Sequence, residues 1–76
     1  MKPNVKDYIE IQGTLIKKKR TIFGNHYLYI NDGNHTVSVI IGKSEFDLYS
    51  VGTQLTVGYI EHRLINIRTG IVENML

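Results

Sequence analysis

Apolar and polar residues alternate with a period of two in several short stretches of this chain. Side chains of a β-strand point alternately to opposite faces, so this period marks strands with one buried face. The clearest stretch is HYLYINDGNHTVSVII, from His26 to Ile41. Two alternating runs flank Asp32-Gly33, and Asp-Gly between such runs is a strong hairpin signal. With Asp32 and Gly33 in the turn, Asn31 faces Asn34, Ile30 faces His35, Leu28 faces Val37 and His26 faces Val39. Directly opposed residues share a sheet face. The pattern therefore predicts Leu28, Ile30, Val37 and Val39 in a core, and Tyr27, Tyr29, Thr36 and Ser38 on the outside.

The same alternation predicts further strands. Over 8–16, Ile9, Ile11, Gly13 and Leu15 fall on one face and Glu10, Gln12 and Thr14 on the other. Gly13 inside that run predicts a bulge or a bend, as closing a small barrel requires. The basic residues 17–20 continue or directly follow this strand, and 21–25, with Phe23 and Gly24, reads as a loop. Gly42 ends the third strand. Ser44-Glu45-Phe46-Asp47 has helix-start spacing, which predicts a short helix over 44–50, or a 3₁₀ turn, with Phe46 and Tyr49 on one face. Val51-Gly52-Thr53 turns the chain. Over 54–60, Leu55, Val57 and Tyr59 alternate with Gln54, Thr56 and Gly58. Glu61-His62 makes a tight reversal into a last strand over 63–68, with Ile65 and Ile67 on one face. Residues 1–7 read as a loose lead-in. The tail 69–76 carries Ile71, Val72, Met75 and Leu76 and is expected to dock.

Three strands, a short helix and two strands form the element order of an OB-fold, a five-stranded Greek-key β-barrel. The alternative is an SH3-like or Sm-like barrel, with 17–24 as a long first loop and a 3₁₀ turn between the last two strands. Either way, 1–76 reads as a single all-β domain with its core over 8–68. Three segments carry a resemblance. They are Gly13-Thr14-Leu15-Ile16-Lys17-Lys18, then Tyr27-Leu28-Tyr29-Ile30 before Asp32-Gly33, then Val51-Gly52-Thr53-Gln54-Leu55-Thr56-Val57. In this order they resemble small uncharacterised bacterial barrel domains. In those, a G-x-V/L-x-x-K strand precedes a Tyr-rich hairpin and a V-G-D-x-V step leads into strand four. Thr53 stands where that pattern usually has Asp. The resemblance spans 13–67 and implies a barrel; its motifs are structural punctuation and imply no activity, since small barrels host many functions.

Composition narrows the possibilities. A domain of 76 residues buries only about 60% of the surface its unfolded chain exposes. With no cysteine there is no disulfide and no thiolate zinc site, so packing or oligomerisation must hold the fold. Absence of cysteine fits a reducing compartment. The longest aliphatic run is Val39-Ile40-Ile41, too short for a membrane span, and the first ten residues contain no apolar signal segment. The expected location is cytoplasmic. Net charge is only +2, yet four of the nine basic residues are consecutive: Lys17, Lys18, Lys19 and Arg20. The rest of the chain is slightly acidic, so any preference for anions is local to that cluster.

These residues suggest a binding module. OB barrels take single-stranded nucleic acid across strands two and three and the adjoining loops, with aromatic faces under the bases and cations along the phosphates. Tyr27 and Tyr29 are the candidate stacking residues, Lys17, Lys18, Lys19 and Arg20 the candidate phosphate ligands, and Phe23 a candidate loop aromatic. The plainer interpretation is that tyrosine is an ordinary strand residue and a basic run an ordinary guarded edge. A basic loop on an anionic membrane surface is a further possibility, although four charges alone bind weakly. The alternative class is a protein-interaction or homo-oligomeric module using Ile16, Ile40 and Ile60, which are off the core parity, together with the tail. His26, His35 and His62 form no close pair, so neither a metal site nor a cofactor is expected. Ser38, Ser44 and Ser50 lack a glycine-framed elbow, there is no phosphate-binding glycine loop, and Glu45 and Asp47, two apart, diverge on a helix. The expectation is a non-enzymatic domain.

Overall fold

The computed structural model describes residues 7–70. Over them the chain forms β1 (Ile9–Arg20), β2 (His26–Asn31), β3 (Thr36–Ile41), α1 (Lys43–Leu48), β4 (Gln54–Ile60) and β5 (Arg63–Thr69). The strands close into one barrel in the order β1-β2-β3-β5-β4, with β4 returning to β1. This is an all-β small barrel with its helix between β3 and β4, as the element order predicts. A two-residue turn joins β4 to β5, so the 3₁₀ turn of the SH3-like alternative is not there. Residues 1–6 of the lead-in over 1–7 and residues 71–76 of the tail over 69–76 lie outside the described residues.

The period-two pattern becomes the interior. Leu15, Leu28, Ile30, Val39, Leu55 and Val57 are fully buried, and Ile41, Phe46 and Tyr59 complete the cluster. Each fully buried aliphatic side chain is worth about 1.5–3 kcal/mol, which is the main support of a chain without cysteine. On β4 the opposite face is covered too. Thr56 is buried and donates to the Gly70 carbonyl at 3.0 Å. Tyr8 lies over Gly58 so closely that a Cβ there would collide with its hydroxyl, which also accepts a bond from Asn66 Nδ2 at 2.8 Å.

The hairpin keeps its predicted faces but not its predicted partners. Leu28 pairs with Val39, Ile30 with Val37, Tyr29 with Ser38 and His26 with Ile41. Every partner is two positions later than predicted, so side-chain parity survives: Leu28, Ile30 and Val39 are buried, Val37 is half-buried, and Tyr27 and Tyr29 face outward. The cause is local. An Asp-Gly type I′ turn needs positive φ at both residues, but only Gly33 has one, at +104°. The turn is centred on Gly33-Asn34, with the Asp32 amide donating to the His35 carbonyl at 3.1 Å. The Asp32 carboxylate accepts the amides of Asn34 and His35 at 2.9 and 2.8 Å. Those bonds, led by His35, hold its pKa below the usual carboxylate value.

Two bulges depart from the predicted pattern. In β1, Leu15 pairs with Ile30 but Lys17 with Tyr29, so Ile16 is the extra residue. Of the bulge or bend expected at Gly13, the bulge lies three residues further on. Gly13 serves a close approach instead: a Cβ there would collide with the Asn31 carbonyl oxygen. In β5, Gly58 pairs with Asn66 but Tyr59 with Leu64, which extrudes Ile65. Leu64 and Ile67, rather than Ile65 and Ile67, pack against the core. The helix also starts earlier than predicted. Gly42 is its N-cap with no side-chain cap, so Ser44 lies inside the helix; Phe46 is buried and Tyr49 packs on the core, as expected.

Closure is narrow. β3 and β5 run parallel and pair only at Ile40 and Arg63. The preceding turn, Glu61-His62, has φ of +52° and +69°, a left-handed conformation that costs residues with a Cβ roughly 1–2 kcal/mol each. His62 offsets that cost with long-range bonds: its carbonyl accepts the Ile40 amide at 2.6 Å and its Nδ1 donates to the Ser38 carbonyl at 3.0 Å. Its ring also stacks on Tyr59.

Replacing Gly13 by Ala should destabilise the barrel by about 1–3 kcal/mol, because the obstructing atom is backbone and cannot rotate away. Urea unfolding measures this; a loss under ~0.5 kcal/mol, the range of ordinary surface changes, would contradict the close approach.

Candidate nucleic-acid interface

The bulge at Ile16 decides where the basic cluster points. Strict alternation from Leu15 would send Lys17 and Lys19 inward. One extra residue reverses the parity. Lys17 then lies opposite Tyr29 and Lys19 opposite Tyr27, and Lys18 lies opposite the fully buried Leu28. Opposed residues share a face. Lys17 and Lys19 are thus outside with the two tyrosines, and Lys18 is turned to the barrel mouth.

The outer surface consists of two rows across the strands. One row is Lys19, Tyr27, Ile40 and Arg63; the other is Lys17, Tyr29 and Ser38. Lys17 Nζ is 5.5 Å from the centroid of the Tyr29 ring, within cation–π range. Lys17, Lys19 and Arg63 are exposed, while the tyrosine rings are half-buried. Cations therefore flank the aromatic hairpin on both sides. Arg63 was not among the sequence candidates. Only the parallel β3–β5 pairing brings it here, and no local pattern signals such a pairing.

The other candidates sit elsewhere. Lys18 Nζ donates to the Tyr49 carbonyl at 2.7 Å and lies 4.5 Å from the Phe46 ring centroid, so it ties α1 and its exit to β1. Arg20 lies opposite His26 at the end of β1, and the basic residues form a strand end rather than a loop. The loop after them is a defined turn. Thr21 N donates to the Asn25 carbonyl at 2.9 Å, Gly24 N to the Thr21 carbonyl at 3.0 Å and Asn25 N to Thr21 Oγ1 at 3.1 Å. It presents Ile22 and Phe23 to solvent, 93% and 85% exposed. Of the three off-parity isoleucines, Ile16 is exposed, while Ile40 and Ile60 are half-buried.

The histidines do not converge. His26 is buried edge-on against Phe46, at 4.8 Å between ring centroids, His35 is in the hairpin loop and His62 is in the closing turn. Among the described residues, no three His, Asp or Glu side chains gather into a metal-binding group, and no helix is long and apolar enough to cross a membrane. No protein-family model, curated protein or solved structure matches the chain.

Lys18 and its neighbours should differ in unfolding experiments. Lys18→Met removes a charged hydrogen bond and a cation–π contact and should cost about 1–3 kcal/mol. Lys17→Met and Lys19→Met should each stay within about 0.5 kcal/mol. Equal effects at all three positions would contradict the split of the cluster.

Proposed function

We propose that this protein is a non-enzymatic, OB-like binding domain that holds single-stranded nucleic acid on the outer face of β1, β2 and β3. The observation that carries this is the pairing of Lys17 with Tyr29 and of Lys19 with Tyr27. Bases stack on the tyrosine rings, and Lys17, Lys19 and Arg63 neutralise the phosphates on either side. Stacking is tolerant of sequence because every base has a π-face, and it contributes ~1–3 kcal/mol per base. Phe23, held outward by the turn after β1, extends the aromatic track. Lys18 and Arg20, turned the other way, contribute to the local positive field rather than to direct contacts. The competing class, protein interaction or self-assembly, draws on the exposed Ile16 and Ile22.

Fluorescence anisotropy with labelled 20-nucleotide DNA and RNA separates the two. Affinity should fall linearly on a log–log plot against salt, with a slope of about −0.7 for each phosphate neutralised on a single strand, hence near −2 for three cations. Tyr27→Ala and Tyr29→Ala should each weaken binding by about 1–3 kcal/mol. No binding at low salt, or binding indifferent to both tyrosines, overturns the proposal. A stable oligomer in light scattering together with no binding favours the competing class.

A further inference from the structure

Where β3 and β5 part after their single pairing, a groove of about 460 Å³ opens beside the proposed interface. Its walls are Ile40, Ile41, Leu64 and Ile65, with Glu45 of α1 and Arg63 of β5. The two bulge and cap features create it: β3 stops at Gly42 to begin α1, and β5 extrudes Ile65. Its volume falls within the range of about 300–1,000 Å³ typical of small-ligand sites, and its lining is mixed, about as polar as apolar. Among the described residues, Lys43 pairs with Asp47 and Arg68 with Glu10, and Glu45 and Arg63 form no ion pair with one another across the groove. Ile40 and Arg63 belong both to the groove and to the Lys19–Tyr27 row. The groove is therefore the end of that row.

We infer that this groove takes one base of the bound strand and selects guanine; the inference rests on the single-strand reading above. The aliphatic walls sandwich the base, and Arg63 takes the adjoining phosphate. Glu45 supplies the selection. An ionised carboxylate only accepts hydrogen bonds, and its two oxygens suit two parallel donors. Guanine alone among the bases offers two adjacent N–H donors, the ring N1–H and the exocyclic N2–H₂. Thymine and uracil flank their one ring N–H with carbonyl oxygens, which the carboxylate repels. Cytosine and adenine present an amino group beside an unprotonated ring nitrogen, so each offers a single donor on that edge.

The test is anisotropy titration of a 15-nucleotide dT strand against the same strand with one central dG, dI, dC or dA. A bidentate pair discriminates by ~1–3 kcal/mol, so one dG should tighten binding by about 5- to 150-fold over all-dT. Inosine, which lacks the exocyclic amine, should lose much of that gain. Glu45→Gln should remove the dG preference, with dT affinity raised rather than lowered because the repelling charge is gone. Tyr27→Ala with Tyr29→Ala should weaken every strand and keep the dG-to-dT ratio. Equal affinity for all strands, or a dG preference that persists in Glu45→Gln, overturns the inference while the single-strand reading stands. Failure of every strand to bind overturns both.

Discussion

One extra residue in one strand controls this protein. β1 is twelve residues long and serves two partners, β4 along its first half and β2 along its second. A straight strand cannot do both in a five-stranded barrel; it must bend, and a β-bulge bends and twists the strand that carries it. Ile16 is that residue, and its neighbour Leu15 holds the corner. Leu15 N donates to the Thr53 carbonyl at 2.9 Å, and Gly52 N donates to the Leu15 carbonyl at 2.7 Å. Gly13, bare of a side chain, lets the Asn31 backbone in beside it. Everything after the bulge has its faces exchanged.

That exchange is also what makes a run of cations tolerable. Taking an ammonium group out of water costs several kcal/mol unless it is paired. Without the bulge, Lys17 and Lys19 would both point into the barrel. With it, Lys18 and Arg20 take the inward parity: Lys18 turns in at the mouth, where the Tyr49 carbonyl and the Phe46 ring receive it, and Arg20, at the end of the strand, stays exposed. The same displacement that relieves the core sets two lysines beside two tyrosines. Fold and candidate site thus share one cause. The second constraint, the strained Glu61-His62 turn, closes the barrel through His62 and places Arg63 at the far side of the same surface.

Much of this was legible in the sequence because much of it is parity. The hairpin turn was misplaced by one residue, which moved every partner by two, and a shift of two leaves each side chain on its own face. Leu55, Val57 and Tyr59 keep their predicted side because alternation runs unbroken through β4 against β1. What failed was whatever breaks parity. Ile16 and Ile65 are bulged without a glycine or proline to mark them, so alternation ran through both unchecked. A physical signal was nevertheless present at Ile16: continuing the pattern would have buried two unpaired lysines. Arg63 left no such trace, since its position depends on a parallel contact with a strand more than twenty residues away. Ser44 was a plausible cap by spacing, yet the chain leaves β3 at Gly42 and begins the helix at once.

The chain's lack of cysteine allows the bulge to be read directly. Lys17→Cys, Lys18→Cys and Lys19→Cys, each in the otherwise unchanged protein, can be reacted with a thiol reagent under native conditions and timed. With Ile16 bulged, the cysteines at 17 and 19 react quickly and the one at 18 slowly. The opposite order, slow at 17 and 19 and fast at 18, is what unbroken alternation from Leu15 requires, and it would contradict the arrangement on which both the barrel and its proposed interface depend.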